Sequence, residues 1–151
     1  MKQDKNIWLT LLFCLTATCL VGSEAETLKG DRTPGILRDL RVSSSSRVLI
    51  AAHRGGYEND KADEAPENSI ANIRNCKSKG YELYETDIQR TKDGRFVIIH
   101  DPTIERETSG AGKVSEMNLV ELREKRKRYR DGSLSRERVA SLEDFLKQGK
   151  G

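Results

Sequence analysis

Glu85-Thr86-Asp87 sets two carboxylates two residues apart in a segment, Tyr81 to Gln89, that otherwise reads as a strand. The chain has two histidines, His53 and His100, and each directly follows an apolar run of strand length, Arg47 to Ala52 and Arg95 to Ile99. Alternate side chains of a strand share a face, so Glu85 and Asp87 project together, in phase with Leu83. Carboxylates held side by side away from water repel: one takes up a proton, or a cation settles between them. All-oxygen ligands suit a hard dication, Mg²⁺ or Ca²⁺. The bland alternative is an exposed edge strand carrying two solvated acids, and the histidines weigh against it. In parallel α/β folds ligands gather at the C-terminal ends of strands, and both histidines fall in that register. An imidazole pair titrates near neutrality and can act as general base and general acid. A dication together with Arg54 would neutralise an anionic substrate and the charge that builds in its transition state. These groups suit cleavage of a phosphodiester, and no serine or cysteine nucleophile is indicated.

The elements that must hold these groups are legible in outline. The continuous apolar run up to Ala52 predicts a strand buried on both faces. Ser69 caps a helix with Ile70, Ala71 and Ile73 as its apolar stripe, and Gly80 stops it. Tyr81 to Gln89 forms the second strand, Thr91-Lys92-Asp93-Gly94 a tight turn, and Arg95 to Ile99 the third strand, broken by Asp101-Pro102. A polar, glycine-bearing stretch leads to a helix over Met117 to Arg130, and Ser141 opens a short helix ending at Gln148. Strands and helices in this order give an α/β architecture. The basic run Arg123 to Arg130 is expected to be a solvated helix face: acids flank it and no aromatic platform accompanies it, so no nucleic-acid partner is expected. Gly110-Ala111-Gly112-Lys113 lacks the spacing of a phosphate loop.

With 151 residues and a net charge of +3, the chain carries no domain-wide charge bias toward a partner. Met1-Lys2 and Lys5, the apolar run from Ile7 to Val21 and the small-residue exit Ser23-Glu24-Ala25 fit a signal peptide over residues 1–25, too short to span a bilayer comfortably. A buried helix would need a comparably apolar segment to pack against, and the sequence offers none. The protein is therefore expected to be exported, periplasmic or secreted, with no stable membrane span after leader cleavage. Cys14 and Cys19 would leave with the leader, and the residues before Cys19 match a lipid-attachment site poorly. Cys76 then has no partner for an internal disulfide and is expected to be a small apolar residue on a helix. Residues 26–46 read as a polar lead-in to a domain over 47–151.

His53-Arg54-Gly55, Pro66-Glu67-Asn68-Ser69, Glu85-Thr86-Asp87, Thr91-Lys92-Asp93-Gly94 and His100-Asp101 together resemble the glycerophosphodiester phosphodiesterases. The resemblance continues through Thr108-Ser109-Gly110-Ala111-Gly112 and Glu121-Leu122, and more weakly into Ser141 to Leu146. It implies a TIM-type (β/α)8 barrel that hydrolyses glycerophosphodiesters to an alcohol and glycerol 3-phosphate. It further implies His53 and His100 as the acid/base pair, Glu85 and Asp87 as ligands of one divalent ion, Arg54 on the phosphate, and Glu67 and Asp101 in support. In that family the neighbouring glycerol hydroxyl attacks phosphorus and water opens the resulting cyclic phosphate. The chain departs from the pattern in a longer loop between Gly56 and Pro66, in Ser69 where threonine is usual, and in lacking a proline near Ala140. The family's third metal carboxylate lies on a strand beyond residue 151. A full barrel takes roughly 250 residues, so an N-terminal portion of about three strands is expected, with an open edge prone to pairing. The alternatives are an inactive remnant serving as a metal-binding module, or a related enzyme acting on lysolipids or sphingolipids.

Overall fold

The computed structural model describes residues 9–14, 32–41, 48–56 and 65–149, the first of these as backbone alone. The sheet is organised around one long strand. β3 (Leu83–Arg90) pairs in parallel with β2 (Ala51–His53), His53 opposite Glu85, and antiparallel with β4 (Phe96–Ile98), Ile88 opposite Ile98. The turn between β3 and β4 is the expected Asp-Gly turn: Gly94 has φ +76° and Thr91 N–H donates to the Arg95 carbonyl at 2.8 Å.

Two helices cover one face. α2 (Ile70–Ser78) starts where Ser69 Oγ accepts from Asn72 N–H at 3.1 Å, and Gly80, at φ +74°, follows its C-cap Lys79. α4 (Leu142–Gly149) is opened in the same way by Ser141, whose Oγ accepts from Asp144 N–H at 3.1 Å. Ile73 and Cys76 of α2 and Phe145 of α4 pack with Ala52, Tyr84, Ile88 and Ile98, and the Tyr84 and Phe145 rings meet edge to face at 5.1 Å. A second core joins Val97, Ile99, Ile104, Val114, Leu122 and Val139. Ile98 belongs to the first core and Val97 to the second, so the chain around β4 is buried on both faces, as alternation requires.

Several expectations change. The strand over 47–52 is confined to its last residues and His53: Val48 and Ile50 are 81% and 49% exposed. The lead-in is not featureless, because Thr33–Arg41 forms α1, with Ile36 fully buried and Arg32 3.6 Å from Glu82. The helix over 117–130 shrinks to α3 (Leu119–Arg123), after a 3-10 turn at Val114–Glu116. The basic run then enters β5 (Arg126–Arg128), which pairs antiparallel with β6 (Leu134–Arg138). A strand alternates, so Lys127 turns inward to complete burial while Arg126 stays exposed; a solvated helix face it is not.

The count of three strands also fails. β1 (Leu9–Cys14), within the segment read as a leader, lies antiparallel on β3, Leu12 opposite Glu85. An open strand edge is a template for any extended backbone, and pairing with it does not require the helical packing partner that the sequence lacks. The cleavage segment Ser23-Glu24-Ala25 and most of the long loop after Gly56 lie outside the described residues. No helix among the described residues is long and apolar enough to cross a membrane.

Candidate active site

β3 presents Tyr84, Thr86 and Ile88 on one face, all buried, and Glu85, Asp87 and Gln89 on the other. The second set faces the loops that carry the histidines. His53 ends β2 opposite Glu85, with Nε2 3.8 Å from Glu85 Oε2. That separation is too long for a hydrogen bond. His100 arrives by another route than expected. β4 runs antiparallel to β3, so His100 is not at the C-terminal end of a parallel strand; the chain folds back along β3 and reaches the same level. Ile99 N–H donates to the Asp87 carbonyl at 3.1 Å, and Gln89 Nε2 donates to the His100 and Asp101 carbonyls at 2.7 and 2.5 Å.

The turn after His53 is tightly built. Arg54 and Asn68 both hold positive φ, +52° and +54°, uncommon for residues with a side chain. The Arg54 carbonyl accepts from Asn68 N–H, Asn72 Nδ2 and Tyr84 Oη at 3.0–3.1 Å. Burial pushes the Tyr84 phenol well above its ordinary range, so it stays a donor. Gly55 is required here: at φ +87°, a Cβ would lie 2.5 Å from both Asn72 Nδ2 and Tyr84 Oη. Cys76 closes the turn as a buried residue of α2, its thiol donating to the Gly55 carbonyl at 3.1 Å.

The charged groups form one chain of contacts. Glu85 Oε2 accepts from Arg54 N–H at 2.9 Å, and Arg54 reaches Asp87 Oδ2 through Nε and Glu67 Oε2 through Nη1, both at 3.4 Å. Glu67 Oε1 meets Arg106 Nη2 at 2.7 Å, and Arg106 Nε meets Asp101 Oδ2 at 2.6 Å. Asp101 Oδ1 lies 2.6 Å from His100 Nδ1. The Arg106 hydrogen bond, reinforced by His100, holds the Asp101 carboxyl down at about 2. A carboxylate on Nδ1 keeps that nitrogen protonated and makes Nε2 the basic one.

The donor set fits a hard cation. Glu85 and Asp87 use Oε2 and Oδ2 on N–H donors, Asp87 Oδ2 accepting from Asn68 Nδ2 at 2.9 Å, which leaves Oε1 and Oδ1 for a ligand. Arg54 Nε is buried without an aligned acceptor, so its guanidinium is not fully committed within the protein. His100, Asp101 and Glu107 also bring ligand atoms within 4.8 Å of one another. Those carboxylates are already spent: Asp101 on Arg106 and His100, Glu107 on two backbone amides, Arg106 and Lys127.

Four residues here escaped the sequence reading as site members. Asn68 lies inside Pro66-Glu67-Asn68-Ser69, of which Glu67 alone was expected at the site, yet it holds Asp87 directly. Arg106 links Glu67 to Asp101. Glu107 and Lys127 form a fully buried pair at 3.2 Å. The polar loop hid the first and a helix-period reading of the basic run hid the second.

The fold is α/β, and the candidate site gathers acids, histidines and an arginine. A family model described as the glycerophosphoryl diester phosphodiesterase family matches residues 53–151, and the chain belongs to that family. A glycerophosphodiester phosphodiesterase of Caldanaerobacter subterraneus is 40% identical over 77 residues, covering 51% of this chain and 30% of the relative. The human glycerophosphodiester phosphodiesterase 1 is 38% identical over 77 residues, again 51% of this chain but 22% of the relative. The crystal structure of a Parabacteroides distasonis glycerophosphoryl diester phosphodiesterase is similar over 93% of this chain and 43% of its own, with TM-score 0.69 and 26% identity. An Oleispira antarctica phosphodiesterase, solved in complex with the product sn-glycerol-3-phosphate, is similar over 69% of this chain and 42% of its own, with TM-score 0.53 and 28% identity. The chain thus spans less than half the length of these relatives.

Proposed function

We propose that the chain carries the acid/base and metal-binding half of a site that hydrolyses glycerophosphodiesters to an alcohol and glycerol 3-phosphate. The observation that supports this reading is one chain of contacts: His53 pairs opposite Glu85, and His100 is joined through Asp101, Arg106 and Glu67 to Arg54, which reaches Asp87. Glu85 and Asp87 would hold a divalent ion, Mg²⁺ or Ca²⁺, which when bound supplies positive charge against the phosphate. Arg54 contacts the phosphate, with Glu67 and Asp101 fixing Arg54, Arg106 and His100. One imidazole takes the proton of the attacking glycerol hydroxyl as the bond to phosphorus forms. The other gives a proton to the departing alkoxide as its P–O bond breaks, and the roles reverse when water opens the cyclic phosphate. Residues 1–25 would direct export to the periplasm or the outside of the cell, with the pairing of β1 on β3 belonging to the chain before the leader is removed.

The test is hydrolysis of glycerophosphocholine by the purified chain, with Mg²⁺, with Ca²⁺ and with chelator. Turnover that needs a dication and disappears in His53→Ala and His100→Ala supports the assignment. Undiminished turnover in either variant overturns it. Metal binding without turnover would instead favour the metal-binding module.

A further inference from the structure

We infer that Glu107 and Lys127 are positioning residues for His100: a buried strut that fixes the His100-Asp101 segment relative to the Asn68–Asp87 side of the site. Both side chains are fully buried, 20 residues apart in sequence, and joined at 3.2 Å. Glu107 Oε1 accepts from the backbone N–H of His100 at 3.0 Å and of Asp101 at 2.9 Å. Its other oxygen takes Lys127 Nζ, which also donates to the Asn68 carbonyl at 3.2 Å. Asn68 in turn spends its whole amide on β3: Nδ2 on Asp87 Oδ2, Oδ1 on Thr86 Oγ1 at 2.7 Å and Asp87 N–H at 3.3 Å. One ion pair therefore connects the backbone of one histidine to the residue that orients a metal-binding acid.

Stability alone does not account for this arrangement. A buried ion pair is often matched or exceeded in stability by apolar residues of similar volume, while removal of one partner is strongly destabilising. A simple spacer at this position could be apolar. Glu107 does something an apolar residue cannot: it accepts from two consecutive amides, which sets the direction of the chain as it carries the imidazole past β3. Lys127 pairs with that carboxylate and ties it to Asn68. The role rests on His100 being one of the acid/base pair, and its test separates the two ideas.

The two double variants Glu107→Leu with Lys127→Met, and Glu107→Gln with Lys127→Met, discriminate. Both replace the ion pair without leaving a buried charge. The glutamine keeps an acceptor for the two amides, whereas the leucine does not. Amide hydrogen exchange at His100 and Asp101, which needs no activity, should quicken at least tenfold relative to neighbouring core amides in the leucine form and stay near wild type in the glutamine form. In the glycerophosphocholine assay, kcat should fall roughly a hundredfold in the leucine form at little-changed KM, the scale of an ångström's misplacement, and recover in the glutamine form. If the leucine form does not fold, Glu107→Gln alone supplies the contrast, since its amide then faces the ammonium and should loosen the same two amides. Equal protection at His100 and Asp101 in all variants overturns the strut. Altered protection with turnover unchanged leaves the strut standing as a fold element and removes its role in positioning His100, while a fully active His100→Ala would overturn only the acid/base reading.

Discussion

Gly55 and Gly132 share a backbone conformation but not an environment, and alanine at each separates strain from packing. Their φ values are +87° and +85°. Left-handed backbone costs a residue with a Cβ about 1–2 kcal/mol, and for Gly132→Ala that is the whole effect, because nothing lies within 4 Å of the added methyl. For Gly55→Ala the methyl meets Asn72 Nδ2 and Tyr84 Oη at 2.5 Å, and both side chains are buried with no room to retreat. Those donors serve the Arg54 carbonyl, and Asn72 also the Gly56 carbonyl at 3.2 Å. Losing two or three such bonds, at about 0.5–1.5 kcal/mol each, brings the expected cost to about 2–6 kcal/mol. That is a large part of the 5–15 kcal/mol typical of a folded domain. Urea unfolding followed by circular dichroism measures both. Gly55→Ala should unfold at lower urea than Gly132→Ala, with a difference of about 1–4 kcal/mol from the lost bonds. Equal midpoints would refute the claim that the turn after His53 is set by close packing.

Three further outcomes follow from the same contacts. Arg106→Gln removes the main cause of the low Asp101 pKa. A carboxyl held at about 2, against an ordinary 3.8, stabilises the fold above pH ~4 and loses that contribution as pH falls through about 2. Arg106 is half exposed, so solvent screens the pair and the variant should lose about 1 kcal/mol at neutral pH, with a smaller loss at pH 2, read from urea midpoints across pH. Glu85→Gln with Asp87→Asn should abolish binding of Mg²⁺ or Ca²⁺ in calorimetric titration while leaving the fold intact by circular dichroism. Tyr84→Phe should cost only about 0.5–1.5 kcal/mol in urea unfolding, because the Arg54 carbonyl keeps its two other donors; a loss above 3 kcal/mol would show that the turn depends on this hydroxyl alone.

The parts of the site that obey local rules were readable in advance. Strand alternation placed Glu85 and Asp87 on one face, Ser69 and Ser141 capped their helices, and Asp93-Gly94 turned the chain. What escaped was long-range. His100 was expected at the end of a parallel strand, but the short turn at 91–94 can only make β4 antiparallel, and β3 is long enough to pair with β2 near one end and β4 near the other. Glu107 and Lys127 pair across 20 residues of sequence, more than the window over which helix or strand periodicity is read. Their pairing overrides helix propensity after Arg123 and pulls a lysine from a basic run into the interior. The strand at Leu9–Cys14 obeys the edge of β3 rather than its own hydropathy.

The central claim is that Glu85 and Asp87 hold one dication between His53 and His100, and Mn²⁺ broadening of histidine ring resonances tests it most directly. With two histidines in the chain, both ring signals are assignable by substitution. Substoichiometric Mn²⁺ should broaden His53 and His100 together, and the Glu85→Gln, Asp87→Asn chain should show neither effect. Broadening of one ring alone, or of both in the double variant, would contradict the account.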